Sequence, residues 1–544
     1  MDRLIRRVAL LVSKKGATFT YPLALGAWAV IFLFMSWTLS ISFETNDDVV
    51  MLMISSGVYS GTPDYHLVFI NVIYGLLLKG LYFILPDLEW YTILFCLLHI
   101  VSFSIILWVY SKRITTAFGQ LLLLLLLLVL QARFIVGLQF TTTAAIVACA
   151  GLSLYFERGK MVKFVGLFLF LIGSLIRFEA AMLCFGVYAP VMMFPLSGRI
   201  RSKRQFLNTG LILSAILVLP ILARVIDAQV YKHNPEWRYY VDYNRVRGAL
   251  NDNPNFARLL NDNPTYSIAD INDLQNLAYF IADPAILDLH VITQVKESLD
   301  IKPLSDKFQN VKTWICFYVD TIICILLLIL LLIFERKVTY RWGLLFSGLS
   351  FFMLLSWVSL NATVKERVFL SAITPLMLIM ILMIVNYQKK CWRIVVLSVL
   401  YLLTLHTIVK QTVDMYAVKK EQSRLVIKQL DLIKSSINCD FTPFGNSVTL
   451  EGVNPFSITS NFKSLNARMI GNGWLTEIPL NHRRMDSHLD FVEKPILIFM
   501  YKGSEPQIHN IQYCIKKNYQ IDTVLEVVAE DELSEIIIIK KKTI

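Results

Sequence analysis

Two adjacent carboxylates, Asp47 and Asp48, close the stretch Glu44-Thr45-Asn46-Asp47-Asp48, just beyond the first long apolar run. Ionisable groups held at a membrane boundary are costly, which makes them functional candidates. A carboxylate in that place can take a proton from an acceptor hydroxyl. A carboxylate pair can instead hold a divalent cation, Mg or Mn, that neutralises a leaving phosphate. Basic residues recur at the ends of other apolar runs: Arg133, Arg177 (with Glu179), and Lys365 and Arg367 around Glu366. Arginine offers a planar fork for phosphate oxygens and stays charged. Acids and arginines together suit an enzyme whose substrate is a phosphate carried on a lipid. Each also has a plainer role. Asn46 and Asp47 suit a helix N-cap, Arg133 can snorkel, Arg177 and Glu179 can pair, and Lys365 and Arg367 can flank a span.

Which reading holds depends on the elements that place these residues. The chain has 544 residues, 56% hydrophobic and 17% charged. A soluble domain cannot hide that much apolar surface, so the composition predicts an α-helical polytopic membrane protein. The net charge of +12 does not point to nucleic acid, because the basic residues fall in short clusters between apolar runs. Spans are predicted at roughly 21–41, 90–110, 118–136, 138–156, 164–180, 181–195, 206–224, 312–333, 341–360, 368–385 and 394–409, about eleven in all. An uncleaved first span fits better than a secretory signal, whose apolar core is shorter. The basic N-terminal segment 1–20 and the alternate short loops, such as Lys112/Arg113 and Arg199/Arg201/Lys203/Arg204, collect most of the positive charge. This asymmetry predicts a cytoplasmic N-terminus and an exoplasmic C-terminus. Asp47 and Asp48 then lie outside the cytoplasm, on the same face as Arg133, Arg177, Lys365 and Arg367.

Three hydrophilic pieces share that face. Within 42–89, Asp48–Tyr59 reads as a short helix ended by Gly57 and Gly61, and Leu67–Leu85 as an interfacial or re-entrant helix broken by Gly75, Gly80 and Pro86. The loop 225–311 carries Asn251-Asp252-Asn253-Pro254 and Asn261-Asp262-Asn263-Pro264; Asx-Pro pairs favour turns, which predicts a folded loop rather than a helix bundle. The tail 411–544 opens on an amphipathic helix, Asp414–Ile437. It continues with strands at Ser447–Leu450, Pro495–Met500, Asp522–Val528 and Glu535–Lys540 and a helix at Gln507–Lys517, a small α/β domain. Cys439 and Cys514 are either a disulfide outside the cytoplasm or two free thiols.

The long first exoplasmic loop with an acidic pair after the first span resembles the GT-C superfamily of membrane glycosyltransferases. The interfacial helices, the many spans and the exoplasmic C-terminal domain resemble it too. Asn46-Asp47-Asp48 with Ser56-Gly57-Val58-Tyr59, Gln139-Phe140-Thr141, Ile176-Arg177-Phe178-Glu179 and Pro235-Glu236-Trp237 are similar to uncharacterised bacterial members. The resemblance implies transfer of a sugar from a polyprenyl-phosphate donor to a glycan, lipid or protein acceptor, at the bacterial inner membrane, in cell-surface glycan assembly. It implies Asp47 or Asp48 as the catalytic carboxylate, with Asp48 favoured for lying deeper toward the next helix. It also implies carrier phosphate on Arg177, Lys365 and Arg367, with Arg133 a further phosphate candidate. Glu236 and Trp237 either hold an acceptor by aromatic stacking or, as the plainer role, pack the loop. Family members often carry a second acid in a later exoplasmic loop. None follows the third span here, and Glu179 is the substitute. A polysaccharide polymerase or ligase would share the arginines but rely on Arg and His in a large loop. A flippase for a lipid-linked oligosaccharide would show repeats and mid-membrane charges, which the chain lacks.

Overall fold

The computed structural model describes residues 20–155, 157–193, 203–262, 266–279, 281–300, 319–334, 338–361, 364–385, 391–436, 440–443, 450–463, 470–480, 485–502, 505–532 and 534–542. The basic N-terminal segment and Cys439 lie outside them.

The apolar runs fold as helices. They are α1 (Tyr21–Leu39), α2 (Asn46–Ser56), α3 (Val72–Ile84), α4 (Trp90–Ser111), α5 (Ala117–Val136), α6 (Phe140–Tyr155), α7 (Lys160–Ile176), α8 (Phe178–Met193) and α9 (Lys203–His233). Later in the chain come α10 (Pro235–Asn251), α11 (Pro254–Asp262), α12 (Ile271–Ala278), α13 (Leu289–Asp300), α14 (Val319–Phe334), α15 (Val338–Asn361), α16 (Glu366–Val385) and α17 (Cys391–Ser436). Seven described helices are long and apolar enough to cross a membrane: α1, α4, α5, α16 and the apolar stretches of α9, α15 and α17. The other expected spans fall on the shorter α6, α7, α8 and α14. This is a polytopic helical membrane protein.

The centre of the bundle is α6, whose residues from Phe140 to Leu154 are all buried. Small residues bring α7 against it. A Cβ on Gly151 would lie 2.5 Å from the Gly166 carbonyl oxygen, and one on Gly166 would lie 2.7 Å from that of Gly151. Contact at backbone distance between apolar helices is the usual use of such glycines. The helix α3 has 13 residues. At 1.5 Å per residue it reaches about 20 Å, short of a hydrocarbon layer of about 30 Å. Before it, α2 ends at Gly57 with φ +83°, and a Cβ there would lie 2.6 Å from Pro63 N.

Two expectations change. The described part of the segment after residue 225 is mostly helical. The span α9 runs on to His233, and α10 to α13 follow with a core of their own around Tyr243, Leu250, Leu274 and Ile292. Asn253-Pro254 starts a helix rather than interrupting one. Proline lacks only an N–H that the first turn leaves free, and Asn253 Oδ1 accepts the Asn255 N–H at 3.0 Å. The boundary near residue 410 also disappears, because α17 is continuous for 46 residues from the last span into the tail.

The tail carries α18 (Ile458–Lys463), α19 (Asp490–Glu493) and α20 (Glu505–Tyr519) with a four-stranded sheet. Its strands are β1 (Phe441–Pro443), β2 (Leu497–Tyr501), β3 (Thr523–Glu530) and β4 (Ser534–Lys541), in the order β1-β2-β4-β3. β1 is parallel to β2, and β4 is antiparallel to both its neighbours. Leu450 opens a single 3-10 turn rather than ending a strand. Cys514 is a buried free thiol.

One apolar cluster joins α2, α3 and the sheet domain, through Val49, Leu52, Leu78, Tyr91, Ile458, Leu497 and Phe499. The domain is tied further to α4. Glu89 accepts Thr459 N at 2.6 Å and Thr459 Oγ1 at 2.8 Å, and Thr92 Oγ1 donates to Pro455 O at 2.8 Å.

Candidate active site

Thr45 is extended, and α2 begins at Asn46, so Asp47 and Asp48 occupy its first turn. Successive residues on a helix point about 100° apart, and the two carboxylates meet different surroundings. Asp48 turns into the core and is completely buried. Its Oδ1 accepts the Tyr91 hydroxyl at 2.8 Å and the Phe140 N–H at 3.0 Å, and its Oδ2 accepts Thr45 Oγ1 at 3.4 Å. The Phe140 N–H is a first-turn donor of α6, so Asp48 caps the central helix from a neighbouring element. Burial pushes its carboxyl well above the usual range, against the pull of those hydrogen bonds. A satisfied carboxyl inside the core cannot meet a substrate, and the preference for Asp48 as the base gives way to Asp47.

Asp47 is half-buried. Its Oδ1 accepts the indole N–H of Trp474, from the C-terminal domain, at 3.0 Å. Its Oδ2 has no hydrogen-bond donor among the described residues. Burial raises its proton affinity; Arg367, the Trp474 bond, Arg177 and Arg247 oppose that in decreasing order. The cations that act on this carboxylate thus come from three separate elements.

Arg367 lies in the first turn of α16, and its guanidinium makes no hydrogen bond or ion pair among the described residues. Arg247, on α10, is buried, with Nε and Nη2 on Asn244 Oδ1 at 3.2 and 2.9 Å. An amide is a weak partner for a buried cation, and burial lowers the Arg247 pKa. Nothing in the order of residues flagged it, because the helix carrying it read as a loop. Arg177 is the one extended residue between α7 and α8 (φ −153°, ψ 103°), which swings its side chain out of the helical path. Its Nε meets Glu179 Oε2 at 3.0 Å, its Nη1 donates to Phe69 O at 3.4 Å, and its guanidinium lies over Phe69 and Phe140.

The other expected residues sit elsewhere. Arg133 is fully buried between Glu366 (Nε to Oε1, 3.0 Å) and Glu44 (Nη2 to Oε2, 3.3 Å). It holds three elements together and is closed to a phosphate. Lys365 pairs with Asp252 at 3.2 Å, tying the start of α16 to the end of α10. Glu179 divides its oxygens between Arg177 and Arg224, at 3.0 and 3.3 Å, and serves as a counter-ion rather than a second acid. Glu236 is exposed in the first turn of α10, where Asn234 Oδ1 accepts its N–H. Trp237 is buried. One face stacks on His66 (centroids 4.3 Å apart), and Tyr231 and Tyr240 pack edge-on. It shows little of itself to the adjoining open groove of about 760 Å³ lined by Tyr65, His66, Lys232 and His233. That leaves it no free face for stacking on an acceptor.

The residues do not fit a cation held by the acid pair. Asp48 already accepts from three donors and Asp47 from one, and the positive charge acting on Asp47 comes from Arg367, Arg177 and Arg247. Among the described residues no three carboxylate, His or Cys side chains cluster as ligands.

Neither family models nor curated proteins match the chain. Among solved structures it is similar to the crystal structure of ArnT from Cupriavidus metallidurans in the apo state. That likeness covers 94% of this chain and 98% of that one, at 11% identity and a TM-score of 0.38.

Proposed function

We propose that the chain is a membrane glycosyltransferase that moves a sugar from a polyprenyl-phosphate donor to an acceptor hydroxyl, on the exoplasmic face of a bacterial inner membrane. The observation that carries this reading is Asp47, half-buried in the first turn of α2 with one oxygen held by Trp474 and its charge offset by Arg367, Arg177 and Arg247. A carboxylate among cations fits a reaction with two charges to manage. The acceptor oxygen forms its bond to the anomeric carbon and gives its proton to Asp47 Oδ2. The bond from that carbon to the phosphate oxygen breaks, and the phosphate leaves with the electron pair. Charge grows on the phosphate as it departs, and guanidinium groups fixed beforehand stabilise that moment most.

Arg367 is the first candidate for the phosphate, because its fork has no partner among the described residues. Arg247 adds charge from inside, and Arg177 is held by Glu179 and the aromatic rings. The charge asymmetry of the loops supports an N-terminus inside, with this site and the C-terminal domain outside. The resemblance to the GT-C superfamily in the acid pair and the span pattern supports the donor class.

Two outcomes follow. Arg367→Ala is expected to raise KM for the donor about 10- to 100-fold, the size of a lost hydrogen-bonded charge contact; steady-state kinetics across donor concentration reads it. Transfer is also expected to persist in EDTA, since three arginines take the role of a cation; an assay with and without added Mg or Mn checks this. The reading as a whole is tested with the purified chain in liposomes and a panel of polyprenyl-phosphate sugars. Release of the polyprenyl phosphate is the expected signal. No release across the panel, or equal release from Asp47→Asn, overturns it.

A further inference from the structure

The hydrogen bond to Asp47 comes from outside the membrane domain. We infer that Trp474 is a positioning residue that fixes the Asp47 carboxylate, so that the site is complete only while the C-terminal domain is docked. The inference rests on Asp47 being the base.

The indole N–H is a donor only, and its partner is Asp47 Oδ1 at 3.0 Å. That leaves Oδ2 for a substrate proton and sets the plane of the carboxyl group. Trp474 is itself held from three sides. Its carbonyl oxygen accepts the hydroxyl of the buried Tyr240 at 2.8 Å. Its ring stands edge-on to Phe69, 4.9 Å between centroids. Its backbone lies in a turn set by Gly473 at φ +65°, a conformation suited to glycine. That turn is pinned to β1, where Thr442 Oγ1 donates to Ile470 O at 3.1 Å and to Asn472 Oδ1 at 3.0 Å. A second tie from the same domain reaches the residue before the base: Glu451 N donates to Asn46 Oδ1 at 3.2 Å. Two separate segments of the C-terminal domain thus grip the first turn of α2. The bond has a chemical consequence as well as a geometric one, since a donated hydrogen bond favours the ionised carboxylate, the form a base requires. Among the described residues, Arg367, Arg177, Arg247, Asp48, Tyr91 and Tyr240 are charged or titratable groups electrostatically linked to Asp47.

The test uses the full chain in nanodiscs. Trp474→Phe keeps a ring against Phe69 and removes the N–H. Gly471→Ala leaves the indole unchanged and displaces its turn, because a Cβ there would lie 2.5 Å from Leu475 Cβ and 2.6 Å from the Tyr59 hydroxyl. The protonated-carboxyl infrared band of Asp47, assigned by its loss in Asp47→Asn, is followed against pH. Both variants are expected to hold the proton to higher pH than the unaltered chain. The acid limb of the transfer rate should move the same way, with kcat/KM at a pH on that limb down roughly tenfold or more. If the band titrates at the same pH in Trp474→Phe, the inference fails whether or not transfer is detected. If the band moves but the unaltered chain transfers no sugar, the proposed function fails and the positioning contact stands.

Discussion

Asp47→Asn is expected to lower sugar transfer by about 10²- to 10⁴-fold, the usual contribution of a general base, while Asp48→Asn keeps transfer within about tenfold. The split is the sharpest consequence of the first turn of α2. Asparagine at 47 still offers an oxygen to Trp474, so the fold survives and only the proton acceptor is lost. Asparagine at 48 still accepts from the Tyr91 hydroxyl and the Phe140 N–H through Oδ1. Asp48→Ala does not, and it strands two buried donors at about 1–3 kcal/mol each. The pH dependence of stability separates the two acids further. Burial raises the Asp48 pKa in the folded chain above its unfolded value. The folded state then binds the proton more tightly. Its contribution to stability is present below the unfolded pKa and is lost as pH rises through the folded one. Asp48→Asn cannot titrate, so its melting temperature relative to the unaltered chain should climb with pH. Parallel melting curves at pH 5 and pH 8 would contradict the burial of Asp48. Equal transfer by the two Asn variants would contradict its role as a cap.

Arg133→Met is expected to destabilise the chain by about 3–5 kcal/mol, the cost of removing one partner from a buried ionic group. The loss comes from what remains. Glu44 and Glu366 would face each other without the guanidinium that lies 3.3 and 3.0 Å from them. Neutralising both acids in the same chain, as Glu44→Gln and Glu366→Gln with Arg133→Met, should recover much of it, since apolar and amide replacements of buried charges are often tolerated. Thermal unfolding of the single and triple variants in the same detergent measures this. If both unfold at the same temperature, the charges themselves are not what holds the region. Lys419 Nζ also donates to Glu44 O at 3.0 Å, so the network reaches α17. Glu366 directly precedes Arg367, so a weakened Arg133 contact should raise KM for the donor as well as lower stability.

Much of the framework was legible in the residues, for definite reasons. Membrane spans announce themselves by length and apolarity, and where the expected positions are described they fall largely on helices. Gly57 closed α2 where its positive φ was needed. The strands β2 and β4 were visible in Pro495–Met500 and Glu535–Lys540, because apolar runs bounded by charge leave few alternatives. Direction was harder to read. Asp47 and Asp48 are the same residue type one position apart, and only the placing of the Tyr91 hydroxyl and the Phe140 N–H beside one of them decides which faces inward. Arg133, Arg177, Lys365 and Arg367 look alike at the ends of apolar runs. Three of them carry a counter-ion from distant or neighbouring sequence, and Arg367 carries none among the described residues. Arg247 and Trp474 were missed because both reach the site from hydrophilic segments, where pattern says little about what a side chain will touch. Asn253-Pro254 misled in the opposite direction, since the dipeptide opens a helix as readily as a turn.

The uninterrupted α17 has a consequence in terms of rotation and height. At 1.5 Å per residue its 46 residues measure about 69 Å, more than twice the hydrocarbon thickness of about 30 Å. It is a strut, and the last span and the sheet domain share one helical phase. A residue gained or lost midway along it turns everything beyond by about 100° and shifts it by about 1.5 Å. Such a change leaves every side chain of the sheet domain intact and still turns Trp474 away from Asp47. The length of this helix is therefore as much a determinant of the site as the residues that line it.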